Sequence, residues 1–140
     1  MESLEFIRGA NINQALEKKY RQYLTGHLQY PQEHLEHIDD DIEIGISYYQ
    51  AFTADTPHKH PIATEHGYVL QGSIKVLVLG EEPQEYQFDA GDFFVLRPGV
   101  GYATKNAPGT KILFVKAPGI NDKTIIPLTD ALTEWAGSWD

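Results

Sequence analysis

The chain has 140 residues, a formal net charge of -9 at pH 7 and no cysteine. This length corresponds to one domain with a full hydrophobic core, and the lack of cysteine excludes a disulfide framework, a thiolate zinc site and a cysteine nucleophile. The 11 lysines and arginines are scattered along the chain, whereas binding to a nucleic-acid backbone requires clustered basic residues, so we expect no nucleic-acid partner.

The hydropathy pattern argues against a membrane protein. The longest apolar runs, such as residues 76–79 and 112–115, are far shorter than the ~20 residues of a membrane helix. The first residues lack the apolar run of a signal peptide. We therefore expect a soluble, cytoplasmic protein that has no membrane partner.

The first periodic segment predicts an amphipathic helix over residues 11–24, where apolar residues recur at i, i+3 and i+4 spacing. Asn11 is its expected N-cap, and Gly26 is the expected left-handed residue that ends it. The sequence thus predicts a helical N-terminal extension over residues 1–41.

A β pattern runs from residue 42 to about residue 117, with apolar residues at period two or in short runs separated by glycine and proline. It predicts eight strands, at residues 42–54, 58–60, 66–71, 73–79, 85–88, 93–96, 102–105 and 111–116. Eight strands without an intervening helix are typical of an all-β sandwich or barrel. A tail over residues 118–140 should end in a short helix that Thr129 caps and that packs on the barrel through Leu132, Trp135, Ala136 and Trp139.

A candidate metal site lies within this β region. His58 and His60 are two positions apart on a predicted strand, so both can face the barrel interior, and Glu65 enters from the next segment after the turn at Pro61. Two neutral imidazoles and one carboxylate suit non-haem iron and related divalent ions. The alternative is a polar pocket in which the two histidines only form hydrogen bonds.

Three further histidines are weaker candidates. His66 directly follows Glu65 and should point to the opposite face of its strand, so we do not count it as a ligand. His34 and His37, beside the acidic residues 39–41, have the spacing of a second metal site. An exposed polar turn explains them equally well.

Two motifs extend the pattern. His58, His60, Glu65 and Gly72 reproduce H-x-H-x4-E-x6-G, although Phe52 stands where that motif would begin with glycine. Gly91, Gly99 and Asn106 match the second motif G-x5-P-x-G-x2-H-x3-N, with Arg97 in place of its proline and Tyr102 in place of its histidine. In the order and spacing of these motifs, residues 42–117 resemble the cupin superfamily.

The resemblance implies a small jelly-roll β-barrel with its ligand site inside, often as a homodimer. In cupins the histidine of the second motif usually supplies a fourth metal ligand, and Tyr102 takes its place here. This tyrosine is a metal-bound phenolate, a hydrogen-bond donor beside the metal ligands, or a proton donor to the substrate. We favour the last two roles, in which Tyr102 is the catalytic candidate and the metal has three protein ligands.

Four residues are candidates for substrate binding: Tyr68, Arg97, Asn106 and Lys116. Arg97 lies at a strand end near the expected barrel mouth, where it would clamp an anionic substrate or form a surface ion pair. Lys116 is either an inward cation or the solvent face of an edge strand, and we prefer the second interpretation.

The sequence therefore predicts a single-domain cupin that binds iron, manganese, nickel or zinc through His58, His60 and Glu65 and acts on a small molecule, as an oxygenase or a carbohydrate-type isomerase. One alternative is a non-catalytic module that binds a sugar or small acid. Another is a metal-free sugar epimerase, with a histidine and Tyr102 as base and acid and with Arg97 and Lys105 binding a nucleotide diphosphate.

Overall fold

A computed structural model describes Leu4, Phe6, residues 8–26 and residues 41–140. His34 and His37, and with them the hypothesis of a second metal site, lie outside the described residues. The elements in chain order are α1 (Gly9–Lys19), β1 (Arg21–Thr25), β2 (Glu43–Tyr49), β3 (Thr53–Lys59), β4 (Thr64–Gln71), β5 (Ser73–Val78), β6 (Gln84–Asp89), β7 (Phe93–Leu96), β8 (Tyr102–Asn106), β9 (Thr110–Ala117), β10 (Thr124–Ile125) and α2 (Asp130–Ala136).

The strands form two antiparallel sheets that enclose the core. One sheet has the order β1-β2-β9-β4-β7, and the other has the order β10-β3-β8-β5-β6. The prediction of an all-β jelly-roll barrel with an N-terminal and a C-terminal helix is confirmed. The described residues contain ten strands rather than the eight predicted, because the short strands β1 and β10 extend the two sheets. The bounds also differ, since the predicted strand at 42–54 divides into β2 and the start of β3.

The first helix is shorter at its C-terminal end than the sequence pattern predicted. It begins at Gly9 without a side-chain cap and ends at Tyr20, whose backbone is left-handed with φ 56°. Residues 21–25 then form β1, with Arg21 opposite Ser47 of β2. Pairing with a neighbouring strand overrides the local helical period here, because the backbone hydrogen bonds of β1 go to β2 rather than to the preceding turn.

The hydrophobic core fills the barrel between the sheets. Its buried members are Val69, Ile74, Val76, Leu96, Tyr102 and Ile112. Phe88 and Phe94 pack beside them with ring centroids 4.9 Å apart. Gly67 leaves room for this pair, since a Cβ at that position would lie 2.2 Å from Cζ of Phe94. The core thus fixes β4 and β8, the two strands that carry Glu65 and Tyr102.

The C-terminal helix packs on the outside of the sheet that contains β5 and β8. Thr129 caps it, as predicted, by accepting a hydrogen bond from the Leu132 amide at 3.2 Å. The Lys105 ammonium group donates to the carbonyl oxygens of Trp135 and Ser138 at 2.8 and 2.9 Å and lies 4.3 Å from the Trp135 ring centroid. Lys105 therefore anchors the C-terminal segment and is directed away from the barrel interior.

Candidate metal centre

A cavity of about 470 Å³ lies between the two sheets. Strands β1, β2, β3, β4, β8 and β9 all contribute side chains to its wall, together with residues of the segment after β9. His58, His60, Glu65 and Tyr102 share this cavity. The sequence-predicted ligands are thus brought to one enclosed place.

His58 is buried on β3 with its orientation fixed by the backbone. Its Nδ1 donates to the carbonyl oxygen of Thr56 at 2.8 Å, which leaves Nε2 as the free lone pair of a neutral ring. Burial lowers the pKa of His58, and the bond to the Thr56 carbonyl opposes this effect only in part. His58 is therefore a neutral imidazole, which is the form that binds metals.

His60 follows β3 directly and is oriented by a carboxylate. Its Nδ1 donates a hydrogen bond to Oδ1 of Asp122 at 2.8 Å. Oδ2 of Asp122 accepts hydrogen bonds from the backbone amides of Ile62 and Ala63, both at 2.8 Å. Three hydrogen bonds thus hold the Asp122 carboxylate in place. A ring whose Nδ1–H is bound to a carboxylate presents Nε2 as ligand, an arrangement found around protein metal sites.

Glu65 completes the cluster from the neighbouring sheet. Its Oε2 lies 3.3 Å from Nε2 of His60, and one ligand atom from each of His58, His60 and Glu65 lies within 4.8 Å of the other two. An ion with bonds of about 2.1 Å would hold such atoms about 3 to 4 Å apart. The donor set and its spacing therefore fit one divalent ion.

The charges of the cluster also suit a cation. Burial would raise the pKa of Glu65, but hydrogen bonds from His60 and Tyr102 outweigh it and lower the pKa. Burial would lower the pKa of His60, but the carboxylates of Glu65 and Asp122 outweigh it and raise the pKa. Two carboxylates thus stabilise positive charge at this position, whether it is a proton or a metal ion.

Tyr102 stands where the second motif would place a histidine. On β8 its side chain is buried, and its hydroxyl donates a hydrogen bond to Oε2 of Glu65. Burial and the Glu65 carboxylate raise the pKa of Tyr102 far above its ordinary value. The geometry favours a neutral phenol beside the metal ligands over a phenolate ligand.

Two of the four candidate substrate-binding residues lie on the cavity wall. Asn106 is 0% exposed, donates from Nδ2 to the Thr53 carbonyl at 3.4 Å, and has no partner for Oδ1 among the described residues. Lys116 is buried with Nζ 3.5 Å from Oε2 of Glu43. The solvent-face interpretation of Lys116 was wrong, because β9 is a central strand between β2 and β4 rather than an edge strand.

The other two candidates lie outside the cavity wall. Tyr68 is 41% exposed, since its neighbours Gly67 and Val69 face inward and strand side chains alternate. Arg97 is exposed in the turn after β7. Placing these two residues in the ligand site was wrong. His66 donates a hydrogen bond from Nδ1 to the Val115 carbonyl at 3.1 Å and stacks on Phe93, apart from the ligand cluster.

The sequence interpretation missed two functional groups. Asp122 lies in the segment after the last long strand, and no local pattern connects it with His60. Arg21 lies within the residues that were assigned to the first helix, and its side chain extends into the cavity. If residues 21–25 are read as a strand, Arg21 and Tyr23 fall on one face of it. Arg21 then becomes a candidate for the cavity wall.

Residues 47–115 match the family model described as "Cupin domain". The chain belongs to the cupin superfamily. Its metal-ligand motif lies inside the matched segment, whereas Arg21 and Asp122 lie outside it. The sequence matches no curated protein significantly.

Solved structures share the fold of this cupin. KdgF from Halomonas sp. has a TM-score of 0.57 at 19% identity, over 73% of this chain and 80% of that protein. An uncharacterised conserved protein with a double-stranded beta-helix domain from Klebsiella pneumoniae has a TM-score of 0.55 at 18% identity, over 64% and 78%. Oxalate decarboxylase from Bacillus subtilis has a TM-score of 0.55 at 17% identity, over 62% of this chain and only 24% of the larger protein.

No helix in the part of the chain that the structure describes is long and apolar enough to span a membrane.

Proposed function

We propose that this cupin binds one divalent metal ion through Nε2 of His58, Nε2 of His60 and the carboxylate of Glu65. The observation that carries the proposal is the fixed orientation of both rings. Each Nδ1 is bound to an oxygen acceptor, Thr56 in one case and Asp122 in the other, so both Nε2 atoms are left for a shared ion. Imidazole and carboxylate ligands suit iron, manganese, nickel and zinc.

We propose further that the site acts on a small molecule. A metal with three protein ligands retains coordination positions for water or substrate and supplies Lewis-acid or oxygen chemistry when bound. The phenol of Tyr102 holds a proton at Glu65, where it can be moved to or from a ligand. An oxygen-dependent reaction and the isomerisation of a hydroxy-carbonyl compound both use these parts.

The first experiment is metal analysis of tag-free protein. We expect near-stoichiometric metal in the wild type after incubation with iron, manganese, nickel or zinc, and loss of that metal from His58→Ala. His66→Ala is the matched control, because it removes a neighbouring histidine that lies outside the cluster. Equal metal content in wild type and His58→Ala, or no uptake of any of the four metals, would contradict the proposal.

A second candidate is a non-catalytic binding module. The observation in its favour is Tyr102, which hydrogen-bonds to Glu65 in the position of the usual fourth ligand. Binding without turnover across oxygenase and isomerase substrates would support it. The metal-free epimerase has less support. Arg97 is exposed outside the cavity wall, and Lys105 donates hydrogen bonds to backbone carbonyl oxygens of the C-terminal segment.

We also propose a homodimer. The outer surface of β4 and β7 exposes a patch of large apolar side chains, namely Tyr68, Leu70, Phe93 and Val95. Trp135 and Trp139 do not belong to this patch, because they lie against Lys105 and Lys75 of the same chain. Light scattering should give the mass of two chains for the wild type and of one chain for Phe93→Asp, and a monomeric wild type would contradict this proposal.

A further inference from the structure

Arg21 is a cation inside the cavity that holds the candidate metal centre. It lies on β1, opposite Ser47 of β2, and its side chain reaches the same cavity wall as His58 and Glu65. The strand that carries it is the edge of its sheet. An arginine on the wall of a cavity, partly shielded from water, requires partners for its N–H donors, because removal of an unpaired charge from water is costly.

The described residues satisfy only part of this requirement. Nε of Arg21 donates to Oγ of Ser47 at 3.0 Å, and one terminal nitrogen donates to the hydroxyl of Tyr49 at 3.3 Å. Both acceptors are neutral. Among the described residues, no carboxylate forms an ion pair with Arg21, whereas Lys116, a buried cation on the same cavity wall, is paired with Glu43.

The carboxylate of Asp55 is linked to Arg21 indirectly, through a hydrogen-bonded hydroxyl group. Its Oδ2 accepts hydrogen bonds from the hydroxyls of Tyr49 at 3.3 Å and Thr104 at 3.0 Å. The hydroxyl of Tyr49 therefore stands between Arg21 and Asp55. This series of hydrogen bonds orients the guanidinium group, but the carboxylate does not neutralise it by direct contact.

Two aromatic rings lie near the guanidinium group. Its Cζ lies 5.3 Å from the ring centroid of Tyr20 and 5.5 Å from that of Phe114. Such cation–π contacts restrict the orientation of the guanidinium group. The remaining donors form the planar fork that matches a carboxylate with two parallel hydrogen bonds.

We propose that Arg21 binds a carboxylate of the substrate, so that the substrate is a small organic acid with a second polar group that reaches the metal. The contact at the metal rests on the proposed function, and the contact at Arg21 does not. The carboxylate of Asp55 on the same wall disfavours a doubly charged phosphate relative to a singly charged carboxylate. A cavity of about 470 Å³ is within the range that holds small ligands.

A series of dicarboxylates tests both contacts. Calorimetric titration of the zinc-loaded protein with malonate, succinate, glutarate and adipate should find one chain length that binds at least tenfold more tightly than the monocarboxylate of equal length. In Arg21→Gln we expect this diacid to bind about 10- to 100-fold more weakly, with unchanged affinity for the monocarboxylate and unchanged zinc content. Arg97→Gln is the matched control, and it should bind both acids as the wild type does.

Several results would overturn the proposal. These are equal affinity for diacids and monocarboxylates at every length, an unchanged diacid advantage in Arg21→Gln, or tighter binding of 3-phosphonopropionate than of succinate and glutarate.

If the protein takes up no metal, the proposed function fails, and the Arg21 contact is then tested on the metal-free protein. Without a metal to bind the single carboxylate, acetate and butyrate should bind at Arg21 and therefore less tightly to Arg21→Gln than to the wild type. Equal binding would overturn the inference.

Chemical labelling of the wild type covers the case in which Arg21→Gln does not fold. Phenylglyoxal modifies accessible arginines, and mass spectrometry locates the product. The best diacid should slow modification of Arg21 by at least fivefold and leave modification of the exposed Arg97 unchanged. Equal labelling of Arg21 with and without the diacid would overturn the inference.

Discussion

His60 and Asp122 are 62 positions apart in the sequence, and a hydrogen bond of 2.8 Å joins Nδ1 of one to Oδ1 of the other. Asp122 also accepts two backbone amides from the turn that follows His60. A carboxylate held in this way fixes both the rotation and the tautomer of the imidazole ring. Asp122 is therefore a positioning residue for the proposed metal ligand.

Asp122→Asn tests this role. The amide cannot supply the same charge-assisted hydrogen bond, so we expect metal affinity to fall by about 10- to 100-fold while the protein stays folded. Competition with a chelator measures the affinity, and circular dichroism measures the fold. Glu82→Gln, a similar change in an exposed turn, is the control and should bind metal as the wild type does. Equal affinity in Asp122→Asn would show that Asp122 does not support the ligand.

Tyr102→Phe separates the roles proposed for the tyrosine. If the phenol is a hydrogen-bond donor to Glu65, its removal costs about 1–3 kcal/mol of stability and changes metal affinity by less than tenfold. Substrate turnover should fall by a larger factor, because the proton beside Glu65 is lost. A decrease in metal affinity of a hundredfold or more, measured by chelator competition, would instead make Tyr102 a ligand.

Metal affinity should depend on pH with a definite sign. The pKa of His60 is raised above 6.5, so in the metal-free protein this ring binds a proton at a higher pH than an ordinary histidine does. Metal binding must displace that proton, and affinity therefore falls as the pH is lowered through this pKa, by about tenfold per pH unit below it. Chelator competition at pH 8, 7 and 6 measures the slope. A constant affinity over this range would argue against His60 as a ligand.

Gly67 provides a test of the packing that holds β4. In Gly67→Ala the new Cβ would lie 2.2 Å from Cζ of Phe94, so the ring must move, and we expect a loss of about 1–3 kcal/mol in the free energy of unfolding. Gly80→Ala is the control, since a Cβ there meets nothing within 4 Å. Denaturant titration compares the two variants. The double variant Gly67→Ala, Phe94→Leu should recover part of the loss, and failure to do so would place the strain elsewhere.

The sequence predicted the parts of this fold that depend on local patterns. Alternating apolar residues and turn glycines located most strands of the barrel, and the spacing of His58, His60 and Glu65 identified the candidate ligands. Strand alternation also placed His66 away from the cluster. These features follow from neighbouring residues along one chain segment.

The errors concern relationships between distant segments. Lys116 was interpreted as an edge residue because a strand's place in a sheet depends on its pairing partners, which the local pattern does not contain. Arg97 was proposed and Arg21 was missed for the same reason, since the pairing of β1 with β2 places Arg21 at the cavity. Asp122 meets His60 only after the whole barrel has formed.

Residues 47–115, the segment that matches the cupin family model, contain the three proposed metal ligands and lack both Arg21 and Asp122. A shortened protein made to those boundaries would retain the donor atoms while losing the arginine of the same cavity and the carboxylate that orients one of the ligands. Evolution can therefore alter what such a protein recognises by changing its flanking segments, β1 and the stretch after β9, without altering the ligand motif. Relatives with identical metal ligands need not share a substrate.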